Sequence, residues 1–265
     1  MYQFNYHRPA SVEEAVGLFE SMDDGIYMAG GQTLIPTMKQ RLAAPTDVID
    51  LSGIEALSGI EVSADRVSIG AFTVHDAVAS SPEIRATLPV LAFLAGQIGD
   101  GQVRNRGTLG GSVANSDPAA DYPAALIGLG ATVHTQTRSI EADDYFKDLF
   151  ETALNPGELI TRIDFPVPTR AAYRKFPNPA SRYAVVGVLV ADFGGKVRVG
   201  VTGAGPCAFR ATAIEELLSR NLDPSALDGV EVPDAGFNND LHASAEYRAH
   251  LVKVMAKRAV ADLLS

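Results

Sequence analysis

Cysteine is nearly absent: Cys207 is the only one in 265 residues. No disulfide can form within the chain, which removes the stapled secreted scaffolds. An iron–sulfur cluster takes four thiolates, so this chain alone cannot hold one. Positive charge is also scarce, with 22 Lys and Arg against 32 Asp and Glu, a net charge of −10 and a sequence pI near 4.9. A reader of nucleic-acid backbones needs a basic footprint, and so does a protein drawn to anionic lipid; neither partner is expected. A small anionic cofactor is not excluded, because backbone amides hold phosphate without Lys or Arg. The longest apolar runs, such as VVGVLVA at residues 185–191, fall far short of the ~20 residues of a membrane span. The opening MYQFNYHRPAS lacks the charged-then-apolar pattern of a signal peptide, so a soluble cytoplasmic protein is expected. Five histidines at 7, 75, 134, 242 and 250 form no i,i+4 pair and no metal-ligand spacing, and each reads as a surface or helix residue. Cys207 has no CxxC partner, and Ser181 lacks the G-x-S-x-G context of a hydrolase elbow. No catalytic side chain and no metal ligand is expected.

What is present fits one or two domains with a sizeable core, at 46% apolar and 20% charged residues. In the first fifty residues, Ser11 and Glu14 make a capping box ahead of Val12, Ala15, Val16 and Phe19 at helical spacing. A strand at 25–29, a helix at 33–42 and a strand at 47–51 follow, and this alternation predicts a small parallel sheet. A second block opens near Gly53 with a strand in RVSIGAF and a helix capped by Thr73. It continues through an apolar helix around 90–98, another at 123–129, and strands in ATVHTQ and ELITRIDFP. From residue 169 the pattern is α+β: two strands joined at Gly194 and Gly195 as a hairpin, a helix at FRATAIEELLSR with its charges outward, an irregular stretch at 222–240, and a long amphipathic helix to the end.

Three segments have the chemistry of binding loops. AGGQTLIP at 29–36 runs from a strand through two glycines into a helix; it is either a tight turn or a place where the backbone approaches an anion, with Gln32 and Thr33 adding polar side chains. RGTLGGSVANSDPAADYP at 106–123 sets Thr108 and Ser112 around Gly110 and Gly111, with Asp121 nine residues beyond as an acceptor for ribityl or ribose hydroxyls. It is either a glycine-rich loop with solvated aspartates or a site for phosphate or sugar. Two such loops one strand–helix unit apart are harder to explain as turns alone. The third, Gly203-x-Gly205-x-x-Ala208, imitates the dinucleotide fingerprint, but no carboxylate follows at the end of a second strand and too few residues remain for two mononucleotide halves. It reads as a strand-to-helix turn. Arg104 and Arg106 would balance a diphosphate or lie in a solvated loop.

Together, AGGQTLIPTMKQRL and QVRNRGTLGGSVANSDPAADYPAAL resemble the FAD-binding medium subunits of molybdenum hydroxylases, of the carbon monoxide dehydrogenase and xanthine dehydrogenase type. The resemblance covers essentially the whole chain, including IGAFTVHDAVASSPEI, PGELITRIDFP and GPCAFRATAIEELL. It implies an α+β fold: a two-lobed FAD domain of the vanillyl-alcohol-oxidase (PCMH) type over residues 1–168, lobes about 1–52 and 53–168, then a smaller C-terminal flavoprotein domain over 169–265. It implies non-covalent FAD held by Ala29, Gly30, Gly31, Gln32, Thr33, Leu34, Thr108, Gly110, Gly111 and Ser112, with Asp121 on the flavin's polyol and Ile160 beside the ring system. Lys175 falls near a family basic residue, although the neighbouring PNPAS differs from the family's pattern. The molybdenum cofactor and the 2Fe–2S clusters would lie on a large and a small partner subunit, the chain passing electrons from the iron–sulfur partner to an external acceptor. A stand-alone flavin oxidoreductase of the same fold is the alternative.

Overall fold

The computed structural model describes residues 1–265. Strand β1 (Asn5–His7), helix α1 (Val12–Glu20), strand β2 (Gly25–Met28), helix α2 (Leu34–Lys39) and strand β3 (Asp47–Asp50) make the first lobe. Its three strands pair in parallel in the order β1-β3-β2, as the alternation predicts. The Ser11 hydroxyl accepts from the Glu14 amide at 3.1 Å, and the Glu14 carboxylate accepts from the Ala10 amide, one residue outside the reciprocal capping-box partner. Helix α2 stops three residues before the expected Leu42. Arg41, at φ 61°, adopts the left-handed conformation that an α-helix cannot continue through.

The second block carries strands β4 (Ile60–Val62) and β5 (Arg66–Gly70), then helices α3 (His75–Ser80), α4 (Pro82–Thr87), α5 (Pro89–Gly96), α6 (Gly101–Arg104), α7 (Leu109–Asn115) and α8 (Tyr122–Leu129). Strands β6 (Thr132–Thr135) and β7 (Ser139–Glu141), helix α9 (Ala142–Tyr145), the hairpin β8 (Phe146–Asp148) and β9 (Glu151–Thr152), and strand β10 (Ile160–Pro166) complete it. An antiparallel sheet runs β4-β5-β10-β6-β7. Val74, not Thr73, caps α3. The Thr73 hydroxyl instead bonds both the amide and the carbonyl of Gly59 at 3.1 Å, a non-local pairing that local helix-start signals do not reveal.

The third block is an antiparallel sheet of β11 (Arg170–Pro177), β12 (Ala184–Asp192), β13 (Val197–Thr202) and β14 (Phe209–Arg210), followed by helices α10 (Thr212–Arg220) and α11 (Ala245–Leu264). Every residue of β12 is buried. The reason is a two-sided cover: Val186, Val188 and Val190 pack with residues of α10 and α11, while Leu189 and Ala191 belong to the core shared with α8. Strand β11, absent from the sequence reading, contributes Tyr173 to that same core. Glu215 corrects the expectation that the charges of α10 face outward: it is buried, accepts from the Val199 amide at 2.9 Å, and pairs with Arg210. The Gly203 turn is closed, as a Cβ there would sit 2.5 Å from the Val185 carbonyl. No helix is long and apolar enough to cross a membrane.

Helix α8 meets β13 at backbone distance. A Cβ on Gly200 would lie 2.2 Å from the Ala124 carbonyl and 2.5 Å from the Gly128 amide. Gly200→Ala should therefore push the helix from the sheet and cost about 3 kcal/mol. Thermal melting should show a midpoint roughly 6–12 °C lower.

Candidate cofactor cleft

A cavity of about 770 Å³ opens where the three blocks meet, within the ~300–1,000 Å³ usual for cofactor clefts. One wall is the turn at residues 29–34, placed where β2 delivers the chain toward α2. Gly30 and Gly31 are buried, and the amides of Gly30, Gly31 and Gln32 donate to nothing in the protein. Buried backbone donors are almost always paired, so the free N–H groups of the buried Gly30 and Gly31 leave this turn able to receive an anionic group. The Thr33 hydroxyl makes no capping bond, and Gln32 is exposed.

The glycines have a second reason to be glycine. A Cβ on Gly30 would lie 1.9 Å from the Arg106 carbonyl and 2.9 Å from the Gly107 Cα, so the two glycine loops touch backbone to backbone. Gly31 has φ +70°, and a Cβ there would collide with Ile35. Gly110 packs on Ala71 in the same manner. Side-chain-free positions thus also serve the packing of the two loops, beyond the turn or the ligand access that the sequence suggested.

The second loop is wired differently from the first. The Thr108 hydroxyl caps α7 by accepting from the Gly111 amide at 3.1 Å. Gly110 donates to the Ala71 carbonyl at 2.8 Å and Ser112 to the Thr108 carbonyl at 3.0 Å. Its backbone amides are therefore consumed within the protein, leaving hydroxyls, chiefly that of Ser112, to face the cleft.

At the apolar end, Ile160 lines the cleft with Leu154 and Leu159. Asp121 borders it too, but from a buried position: its carboxylate accepts from the Tyr173 hydroxyl at 2.5 Å and from Lys175 Nζ at 2.9 Å. Burial pushes the Asp121 carboxyl up, opposed by Lys175 and Tyr173. Lys175 itself does not line the cleft; its ammonium is spent on Asp121 and on the carbonyls of Gln97 and Arg182. All twelve residues named from the sequence, from Ala29 to Ile160, line this one cavity.

The structure adds others. Ser181, Arg182 and Tyr183 reach in from the third block, and Asp117 and His75 from the second. His75 is a helix residue, the first of α3, and is buried at 4% exposed. Asp117 lay inside the quoted motif, but the 181–183 arm depends on tertiary placement and has no local signal. Glu158 also lines the cleft, where Arg138 grips it bidentately at 2.8 Å and holds its carboxyl down at about 2 against the opposing effect of burial.

Residues 2–168 match the family model described as the FAD binding domain in molybdopterin dehydrogenase. The chain belongs to this family. The nicotine 6-hydroxylase medium subunit of Paenarthrobacter nicotinovorans is 35% identical, with 97% of this chain and 96% of the relative covered. The carbon monoxide dehydrogenase medium chain of Afipia carboxidovorans is 37% identical, with 97% and 95% covered. Among solved structures, a Cu,Mo-CO dehydrogenase superposes with a TM-score of 0.90 at 36% identity over 98% of this chain and 97% of that one. Quinoline 2-oxidoreductase of Pseudomonas putida 86 superposes with a TM-score of 0.88 at 28% identity, covering 99% and 97%.

Two outcomes follow from the charges around the cleft. The Glu158 carboxyl sits below its ordinary value of 4.5, so its stabilisation is complete above that pH and drains away as pH falls toward 2. Glu158→Gln should flatten the acid limb of a melting-temperature profile between pH 4.5 and 2. Lys175→Met leaves the Asp121 carboxylate buried with Tyr173 alone and should cost about 3–5 kcal/mol in a denaturant titration.

Proposed function

We propose that this chain is the FAD-carrying electron-transfer subunit of a heteromeric molybdenum hydroxylase. In that reading residues 1–168 form the two-lobed flavin domain of the vanillyl-alcohol-oxidase type, and residues 169–265 form the C-terminal flavoprotein domain. The carrying observation is the cleft itself: free amides at Gly30, Gly31 and Gln32 at one side, and a carboxylate and apolar residues at the other. That order suits a ligand with an anionic middle, a hydroxylated chain and a flat apolar ring. The names of the relatives, medium subunits and chains of dehydrogenases and hydroxylases, support the same assignment.

The roles divide along the cleft. The first loop would hold the diphosphate through its unpaired amides, with Gln32 and Thr33 closing over it. Asp121, kept in place by Lys175 and Tyr173, would accept from polyol hydroxyls, and Ile160 would lie beside the ring system. When bound, FAD supplies the redox chemistry; the protein contributes placement, polarity and exclusion of water. No general base or nucleophile is needed from this chain. Because the chain has one cysteine, the iron–sulfur clusters belong to a small partner subunit and the molybdenum cofactor to a large one. Electrons would arrive from the iron–sulfur partner and leave to an external acceptor.

Glycine substitutions test this reading badly, since they also break the seam between loops. Gln32→Leu combined with Ser112→Ala removes polar groups free of protein partners and should leave the melting temperature of the cofactor-free chain unchanged. FAD titration followed by flavin fluorescence should show about tenfold weaker binding. The purified wild-type chain should be yellow and should copurify with a small and a large subunit from its native source; a chain that stays colourless with added FAD would sink the proposal.

A further inference from the structure

We propose that His75 is a further cofactor-binding residue, its Nε2 donating a hydrogen bond to the diphosphate of the flavin nucleotide from beneath the seam of the two glycine loops. The proposal rests on the flavin reading of the cleft and adds a residue that neither loop contains.

His75 stands at the first position of α3, where its own amide donates to the Gly107 carbonyl at 2.9 Å and fixes the ring under the second loop. It is 4% exposed and borders the cleft. Nδ1 is sealed from solvent and has no hydrogen-bond partner. Nε2 has no protein partner either and lies against Gly107, close enough that a Cβ there would sit 2.6 Å from it. Gly107 is in turn the residue that Gly30 of the first loop approaches. The imidazole edge therefore lies at the point where the two loops meet, beside the unpaired amides of Gly30 and Gly31.

A polar group left without a partner in so enclosed a place calls for a reason; the nucleotide would give Nε2 a partner, while Nδ1 stays sealed. The neighbouring ring, Tyr122, packs at 5.3 Å between centroids and its hydroxyl is likewise unpartnered. The second loop supplies the complementary fact. Its amides at Gly110, Gly111 and Ser112 are bonded within the protein, so on that side only side chains are left to donate, and His75 stands there with the Ser112 hydroxyl. Burial, helped by Arg104, holds the imidazole down at about 4, so at neutral pH it is an uncharged ring with one N–H to give. A ring in that state tolerates its enclosure before the nucleotide arrives. The same contact explains Gly107: any side chain there would occupy the imidazole's place.

The test compares His75→Phe, which keeps the ring's volume and its packing on Tyr122 without a donor, with His75→Gln, which restores a donor. FAD dissociation constants would be measured by fluorescence on the full chain, beside melting of the cofactor-free protein. The expected result is binding at least about tenfold weaker for His75→Phe and within about threefold of wild type for His75→Gln, with both cofactor-free chains melting as wild type does. Unchanged FAD affinity in His75→Phe would overturn the proposal. So would equal losses of affinity in both variants accompanied by lowered melting, because that pattern describes packing. If the wild-type chain binds no FAD, the flavin reading fails first and His75 with it, a result separable from the others because no variant is needed to see it.

Discussion

The backbone-to-backbone approach of Gly30 to the Arg106–Gly107 peptide is the constraint that decides how the two glycine loops meet. It docks a small parallel sheet onto an antiparallel one, and the cleft is the space left on either side of that contact. The cluster that packs the first lobe has only six buried apolar residues, and three of them, Ile54, Leu57 and Leu159, come from the second block. A core that small stabilises little by itself. The seam therefore supports the lobe as well as shaping the cavity, which is why its glycines answer to protein packing before they answer to any ligand.

The chemistry of the two loops is complementary rather than repeated. The first presents unsatisfied amides; the second has satisfied its amides and presents hydroxyls. Asp121 stands beyond them with its charge balanced by Lys175 and its orientation set by Tyr173, both from β11. The third block is thus a wall of the site as well as a neighbour of it, through Ser181, Arg182 and Tyr183. On the proposed reading an acidic chain would hold an anionic nucleotide through peptide dipoles, and the acidic groups nearby, Asp121 and Glu158, each face a cation.

Much of this was legible before any coordinates. The Ser11 cap, the β–α–β alternation, the Gly194–Gly195 hairpin and the two glycine loops are local patterns, which a sequence writes openly, while Ile160 was named only through the family resemblance. Thr73, Glu215, His75 and the 181–183 arm were misread or missed for one shared reason. Each is decided by a partner far along the chain: Gly59 for Thr73, Val199 for Glu215, Gly107 for His75, and Gly99 for Arg182. The burial of a polar residue depends on which distant segment covers it, and no periodicity encodes that.

The modest core of the first lobe bears on how the site is filled and emptied. Where local stability is low, a segment opens without the rest of the molecule unfolding. Residues 1–52 carry the free amides of Gly30, Gly31 and Gln32, so on the proposed reading their detachment from the seam would uncover the nucleotide's middle while the larger cores stay intact. On the proposed flavin reading, cofactor exchange would then follow opening of this lobe without global unfolding.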